Sequence, residues 1–333
     1  AAQVLTVNAG ATAAEWAAAG GGTSLDLFAE NYDGTSTLPS ATGTNSVALG
    51  SGSVASGTNS TAFSNAQAAG SDSFAAAIGS AGASYGAASF RSVALGNLAS
   101  ATGSAAIAIG KLSSATGYVA LALGDSAVSA GTSSTALGTA YASGTDSFAA
   151  AIANNTSSYG ATGANSVAIG ATVKATNSKS TAIGGLNNIA SGSYSIVAGG
   201  GYNSSTGTYS FSAGQSNVAA GSYSTIIGGR SNETTASAAY SVASGYQSVA
   251  SIQGQIAHAS GRFSSEGDAQ TGTLVLRSDT TDATAEALTT SNGAGSTTNQ
   301  VILPNNSAFA FSGTIVARQQ ASGGTASAAW EIK

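Results

Sequence analysis

Cysteine and methionine are absent from this sequence, and 333 residues include only two prolines, two tryptophans and one histidine. Without cysteine, neither a disulfide framework nor a thiolate metal site is available. Charge is scarce as well: Asp, Glu, Lys and Arg make up 7% of the chain, against about a quarter of an average soluble domain. Solvation must come from hydroxyls, amides and backbone. A net charge of −5 with nine scattered basic residues argues against nucleic acid as a partner, because phosphate neutralisation needs clustered Lys and Arg. No apolar run approaches the roughly 18 residues of a spanning helix, and no basic-then-apolar leader opens the chain, so membrane insertion is not expected. The start at Ala1 reads as a processed chain or part of a longer one.

What is abundant is small. Glycine supplies 45 residues, and Ala, Ser and Thr make up most of the rest. These residues are periodic. NSVALG at 45–50 returns as RSVALG at 91–96 and NSVAIG at 165–170. The small residue closing each such phrase recurs from Gly50 to Gly245 at steps of 14, 15 or 17. A second turn-former usually sits seven positions earlier, as at Gly43, Gly57, Gly103 and Gly117. Within a phrase the apolar residues alternate: Val47 and Leu49 fall on one face, Ser46 and Ala48 on the other. Period two means strand. Segments of seven residues are too short for helices, and each glycine would cost a helix about 1 kcal/mol. Two short strands per rung, with rungs about 4.8 Å apart, predict an all-β parallel solenoid roughly 65 Å long. Residues 60–96 also realign with 134–170 at a constant offset of 74, which places Asp72 on Asp146, Phe74 on Phe148 and Tyr85 on Tyr159. The roll grew by duplicating a block of rungs.

Val47 and Leu49 are expected to fill the core of the roll, leaving the Ala/Ser face to admit close approach of another chain. Such a core is thin. Ordering a residue costs about 1–2 kcal/mol, while a buried aliphatic returns about 1.5–3 kcal/mol. An obligate homo-oligomer is therefore expected, a homotrimer for a fibrous particle.

NSVALG, RSVALG and NSVAIG, with SGSVASG at 51–57 and LASATG at 98–103 between them, resemble the head repeats of trimeric autotransporter adhesins of the YadA type. The resemblance covers about 41–250, and GGLNNIASGSYSIVAGG at 184–200 is similar to the family's 15-residue form. It implies a trimer of left-handed parallel β-rolls. Bacterial adhesins and phage tail proteins share this repeat. VLTVNAGATAAEWAAAGG at 4–21 resembles a segment of phage tail fibres, with Ala14 where that text has proline. Residues 254–290 and 299–333 resemble a C-terminal module of tail fibre proteins of tailed phages.

The expected organisation is a connecting segment over 1–40, the β-roll over 41–250 and a β-rich, sandwich-like antiparallel module over 251–333. Strand-like runs in that module are 255–263, 274–278, 301–303 and 309–320, and 330–333 reads as a strand cut off without a turn. The resemblance implies a non-enzymatic tail fibre or spike in the virion that attaches to a host cell. Its partners would be a host surface glycan or outer-membrane protein and other tail or baseplate proteins. The alternatives are the head of a bacterial surface adhesin and a polysaccharide-depolymerising tailspike.

Tyr194, Tyr209, Tyr223 and Tyr240 recur where earlier rungs hold Asn45, Asn59 and Asn165. Stacked rungs would pile them into a column, either a sugar-binding stripe or a stack closing the edge of the core. Parity with Val47 and Leu49 favours the stack. Tyr85 and Tyr159 lie in the long rungs, where loops on a rigid scaffold place binding residues. With Tyr202, Arg262 and Arg277 they are the candidate receptor contacts, and a plain bulge between chains is the competing reading for the two long rungs. His258 has no evident nucleophile or carboxylate partner and reads as a strand-face residue. Glu266 and Asp268 form the closest acidic pair, a conceivable glycosidase dyad but more simply an acidic turn. Asp72 and Asp146 are repeat features. No catalytic residue, cofactor or metal is expected.

Overall fold

A computed structural model describes residues 3–6, 15–18, 37–76, 85–151, 159–303, 307–319 and 326–332. Two units are distinguished, Ala1–Leu274 and Val275–Lys333. Every regular element among the described residues is a strand. Near the N-terminus Gln3–Thr6 and Glu15–Ala18 pair antiparallel.

From Ser40 to Ser260 the described residues form a parallel β-solenoid. Each rung lays one strand into a 16-stranded sheet, here sheet I, and one into a 15-stranded sheet, sheet II. Val47–Leu49 belongs to sheet I, and Val54–Ala55, five residues on, to sheet II. Register is kept from rung to rung, with a shift between Ile169 and Ala171: Val93 pairs with Ile107 and Ile107 with Leu121, while Ala94, Ala108 and Ala122 form the adjacent ladder.

The interior is the reverse of the sequence expectation. Ala48 is only 2% exposed, and Ala62, Ala75, Ala94, Ala108 and Ala122 line up behind it, fully enclosed. Ala55, Ala68, Ala87 and Ala101 of sheet II close the core from the other side. Val47 and Leu49 lie on the outside, half-covered by neighbouring rungs. The alternation was read correctly and assigned to the wrong faces. The physical reason is width: two-strand rungs of this length leave an interior that holds methyl groups and little more, so alanine fills it at close-packed density.

Two corners per rung turn the chain, and each places a residue in the left-handed region. One corner runs through Asn45, Asn59, Asp72, Arg91, Ala105 and Val119; the other through Asn65, Leu98, Leu112 and Ser126. Asparagine tolerates this conformation; for β-branched Val119, at φ 55°, it is a strained choice.

A buried serine follows the first corner in most rungs. Ser73, Ser134, Ser210 and Ser224 each donate the hydroxyl back to the carbonyl three residues earlier, at 2.6–2.8 Å. This explains the serine of NSVALG: Ser46 bonds the Gly43 carbonyl at 2.7 Å. Ser60, Ser147, Ser166 and Ser195 occupy the same column with no partner, and Ala106 and Ala120 hold its position in two rungs without a hydroxyl. Ser166→Ala is therefore expected to raise stability by about 1 kcal/mol, read as an upward shift in a denaturant or thermal midpoint. A downward shift would contradict this assignment.

The ladder runs past the 14-residue beat. Ile256–Ser260 pairs parallel with Val242–Tyr246, and Gln270–Thr273 then pairs antiparallel with Ile256–Ser260, closing that end of sheet I. The strand expected over 255–263 is thus a further rung of the roll rather than the start of the antiparallel module.

In the second unit Gly313–Arg318 pairs antiparallel with Ser327–Ile332, so the strands expected over 309–320 and at 330–332 are present. The runs at 274–278 and 301–303 form no strands; Arg277 makes a single bridge to Thr289. Among the described residues there is one two-stranded sheet here and no sandwich.

Candidate functional site: the outer faces of the roll

Sheet I presents two outward columns. One passes through Val47, Phe74, Val93, Ile107 and Leu121, the other through Leu49, Phe63, Leu95, Ile109 and Leu123. Further along come Val167 with Ile169, then Ile183 and Ile196. Through fourteen rungs neither column holds a charged residue among the described positions, and the polar members are Thr61, Thr135, Thr181, Thr225 and Ser244. The outward column of sheet II differs, with Gln67, Ser100, Ser114, Tyr141, Lys174 and Glu233. Sheet I keeps its apolar face up to the last rung, where His258 follows Ser244, whereas the sheet II column mixes its polar and charged members with Val54, Val128, Ile189, Val218 and Val249. An exposed apolar surface this long marks a site of association.

The tyrosine column lies beside that apolar face. Ring centroids of Tyr194, Tyr209, Tyr223 and Tyr240 are 4.6, 4.9 and 5.1 Å apart, with planes within 14° of parallel. The rings face solvent and do not close the core; Tyr240 is 61% exposed. Each has φ near 58°, at the first corner. Lys179 caps the column, its Nζ 2.9 Å from the Tyr194 hydroxyl and 4.7 Å from the ring centroid. This hydrogen bond holds the Tyr194 phenol below its ordinary pKa and the Lys179 ammonium above its own. The stack limits what the stripe can bind, because the inner rings spend their faces on one another and offer a ligand only edges and hydroxyls.

In earlier rungs the same corner carries a polar ladder. Asn45 donates to Asn59 at 3.3 Å, Asn59 to Asp72 at 2.9 Å, and Arg91 lies 3.9 Å from Asp72. Asn165 donates to Asp146 at 3.3 Å. Asp72 and Asp146 are equivalent members of this column.

The candidate contacts separate. The loop residues 77–84 and 152–158 lie outside the described residues. Tyr85 is half-buried and packs on the alanine core. Tyr159 is likewise half-buried, with the Lys174 Nζ 4.9 Å above its ring. Tyr202 stands 56% exposed at the second corner, in the same edge of the roll as Tyr85 and Tyr159. Arg262 follows the last rung and pairs with Glu266 at 3.6 Å. Arg277 belongs to the second unit.

Asp268 accepts from the backbone amides of Ser265 (2.7 Å), Ser264 (2.6 Å) and Phe263 (2.8 Å), which hold its carboxyl below the usual carboxylate range. With Glu266 turned to Arg262, the pair forms an acidic turn. His258 lies on the outer face of its strand, with Nδ1 3.0 Å from the Ser244 hydroxyl. It borders a shallow hollow of about 390 Å³ lined by Ala259, Ser260, Ala269, Gln270 and Thr271.

An asparagine ladder escaped the sequence reading. Asn188, Asn203, Asn217 and Asn232 are buried at the second corner of successive rungs. The Oδ1 of Asn188 accepts from the backbone N of Asn203 (3.0 Å), Asn203 serves Asn217 (3.1 Å), and Asn217 serves Asn232 (2.9 Å). Each Nδ2 bonds carbonyls of its own and the next rung, as Asn203 does to Gly199 at 3.1 Å and Gly214 at 2.7 Å. Their recurrence every 14 or 15 residues was the available signal.

Fold and faces together define a parallel β-solenoid with an alanine core and one apolar outer face. The family model of the YadA head domain repeat matches residues 41–63, 87–113, 115–140 and 161–187, all within the roll. These segments are similar to YadA-type head repeats, and the rungs from Ile189 to Ser260 continue the same ladders beyond them. No curated protein matches the chain.

Proposed function

We propose that this chain is a structural segment of a homotrimeric fibre, a tail fibre or spike of a tailed phage that attaches the virion to a bacterial surface without catalysing a reaction. The observation that carries the trimer is the uncharged apolar face of sheet I. It repeats along the sheet and leaves Ile107, Leu123, Ile183, Ile196 and Ile256 exposed. Three rolls packed through these faces would shield the sheet I aliphatics and leave sheet II, with Lys174 and Glu233 in its outward column, outside. The phage reading, rather than that of a bacterial adhesin head, rests on the resemblance of 4–21, 254–290 and 299–333 to tail fibre segments. Recognition falls to the corners and to residues after the roll, with Tyr202, Arg262 and Arg277 as candidate contacts for a surface glycan or outer-membrane protein.

Labelled protein added to bacterial cells should bind saturably and release no soluble saccharide. Release of polysaccharide fragments would make it a depolymerising spike. Binding to extracellular matrix but to no bacterium would move the assignment to an adhesin head.

A further inference from the structure

Among its described residues the second unit has no hydrophobic core of its own. Only Thr289 and Asn299 among them are buried. Ten large apolar side chains stand in solvent, including Phe309, Phe311, Val316 and Trp330, the last 53% exposed. With about half of each accessible, they expose on the order of 1,000 Å² per chain, spread over the unit. The remaining residues of the unit, 304–306, 320–325 and 333, include no large apolar side chain that could cover them.

Four of the ten, Ile315, Val316, Trp330 and Ile332, belong to the hairpin. Ile315 pairs with Trp330, Ala317 with Ala328 and Gly313 with Ile332, and alternation puts these six residues on one face. That face carries no charge, whereas Arg318 and Glu331 lie on the opposite one. Identical copies of it can meet without like-charge repulsion. An isolated two-stranded hairpin is marginal in water, so the pairing needs a partner surface.

We propose that the Ile315–Trp330–Ile332 face packs against the same face of other copies of this chain, so that the core of the C-terminal unit lies between chains. The inference rests on the trimeric reading only for the number of copies. Trp16→Phe leaves Trp330 as the sole tryptophan of the full chain and makes it a reporter. The expected result is blue-shifted, acrylamide-protected emission in a particle whose light-scattering mass exceeds one chain. Adding Ile315→Asp should return the emission to that of solvated tryptophan while the far-ultraviolet signal of the roll persists. Solvent-like emission from the assembled particle would overturn this proposal and leave the trimeric roll intact. Protected emission from a particle of single-chain mass would show that the chain covers Trp330 itself, which overturns both.

Discussion

Gly200→Ala is expected to destabilise the roll by about 4 kcal/mol, combining a left-handed backbone with overpacking. Gly200 has φ 72°, and a Cβ there would overlap the Gly214 carbonyl of the next rung and lie 3.0 Å from the Asn203 amide. Relief by a shift would pull apart the Asn188 and Asn203 ladders, whose Nδ2 groups bond carbonyls in this corner. The column reads Gly185, Gly200, Gly214, Gly229, Gly245 and then Ala259, so its side chain appears where the last parallel rung ends. Chemical denaturation of the variant beside the parent measures the effect. A change under about 1 kcal/mol, the range of an ordinary surface substitution, would mean that the rungs are not stacked as described.

Ile109→Asp should dissociate the assembly. In a single roll Ile109 is an outward residue of sheet I between Leu95 and Leu123, and a charge there would cost little. If the face is covered by other copies, an unpaired carboxylate is desolvated in every chain of the particle. The cost is several kcal/mol at each, enough to shift the mass toward the monomer. Ser114→Asp, on the outward column of sheet II, is the control and should leave the mass unchanged. Equal effects at the two sites would remove the distinction between the faces.

The contrast between Ala48 and Val47 shows what the sequence could convey. The repeat, its period of two, the parallel stacking and the equivalence of Tyr85 with Tyr159 were legible, because ladder register follows directly from repeat spacing. Which face is the inside was not. Hydrophobicity favoured Val47 and Leu49, but the interior is set by the width of a two-strand rung, and a single chain's sequence does not state that width. The serines after the first corner were visible as letters; their bonds to the carbonyl three residues back appear only with the turn geometry. The asparagine ladder was hidden similarly, since Asn188 and Asn203 look like turn residues until the rungs stack. At the candidate contacts, the sequence placed Tyr85 and Tyr159 in loops, whereas both sit where the chain rejoins the roll. The C-terminal strands were partly legible from alternation, and among the described residues they form one hairpin rather than the expected sandwich.

The native mass of the unmodified chain tests the central claim most directly. Sedimentation equilibrium should give three times the chain mass of 31.6 kDa, unchanged on dilution. A stable, folded species of 31.6 kDa would show that the apolar face of sheet I tolerates water, and would contradict the account.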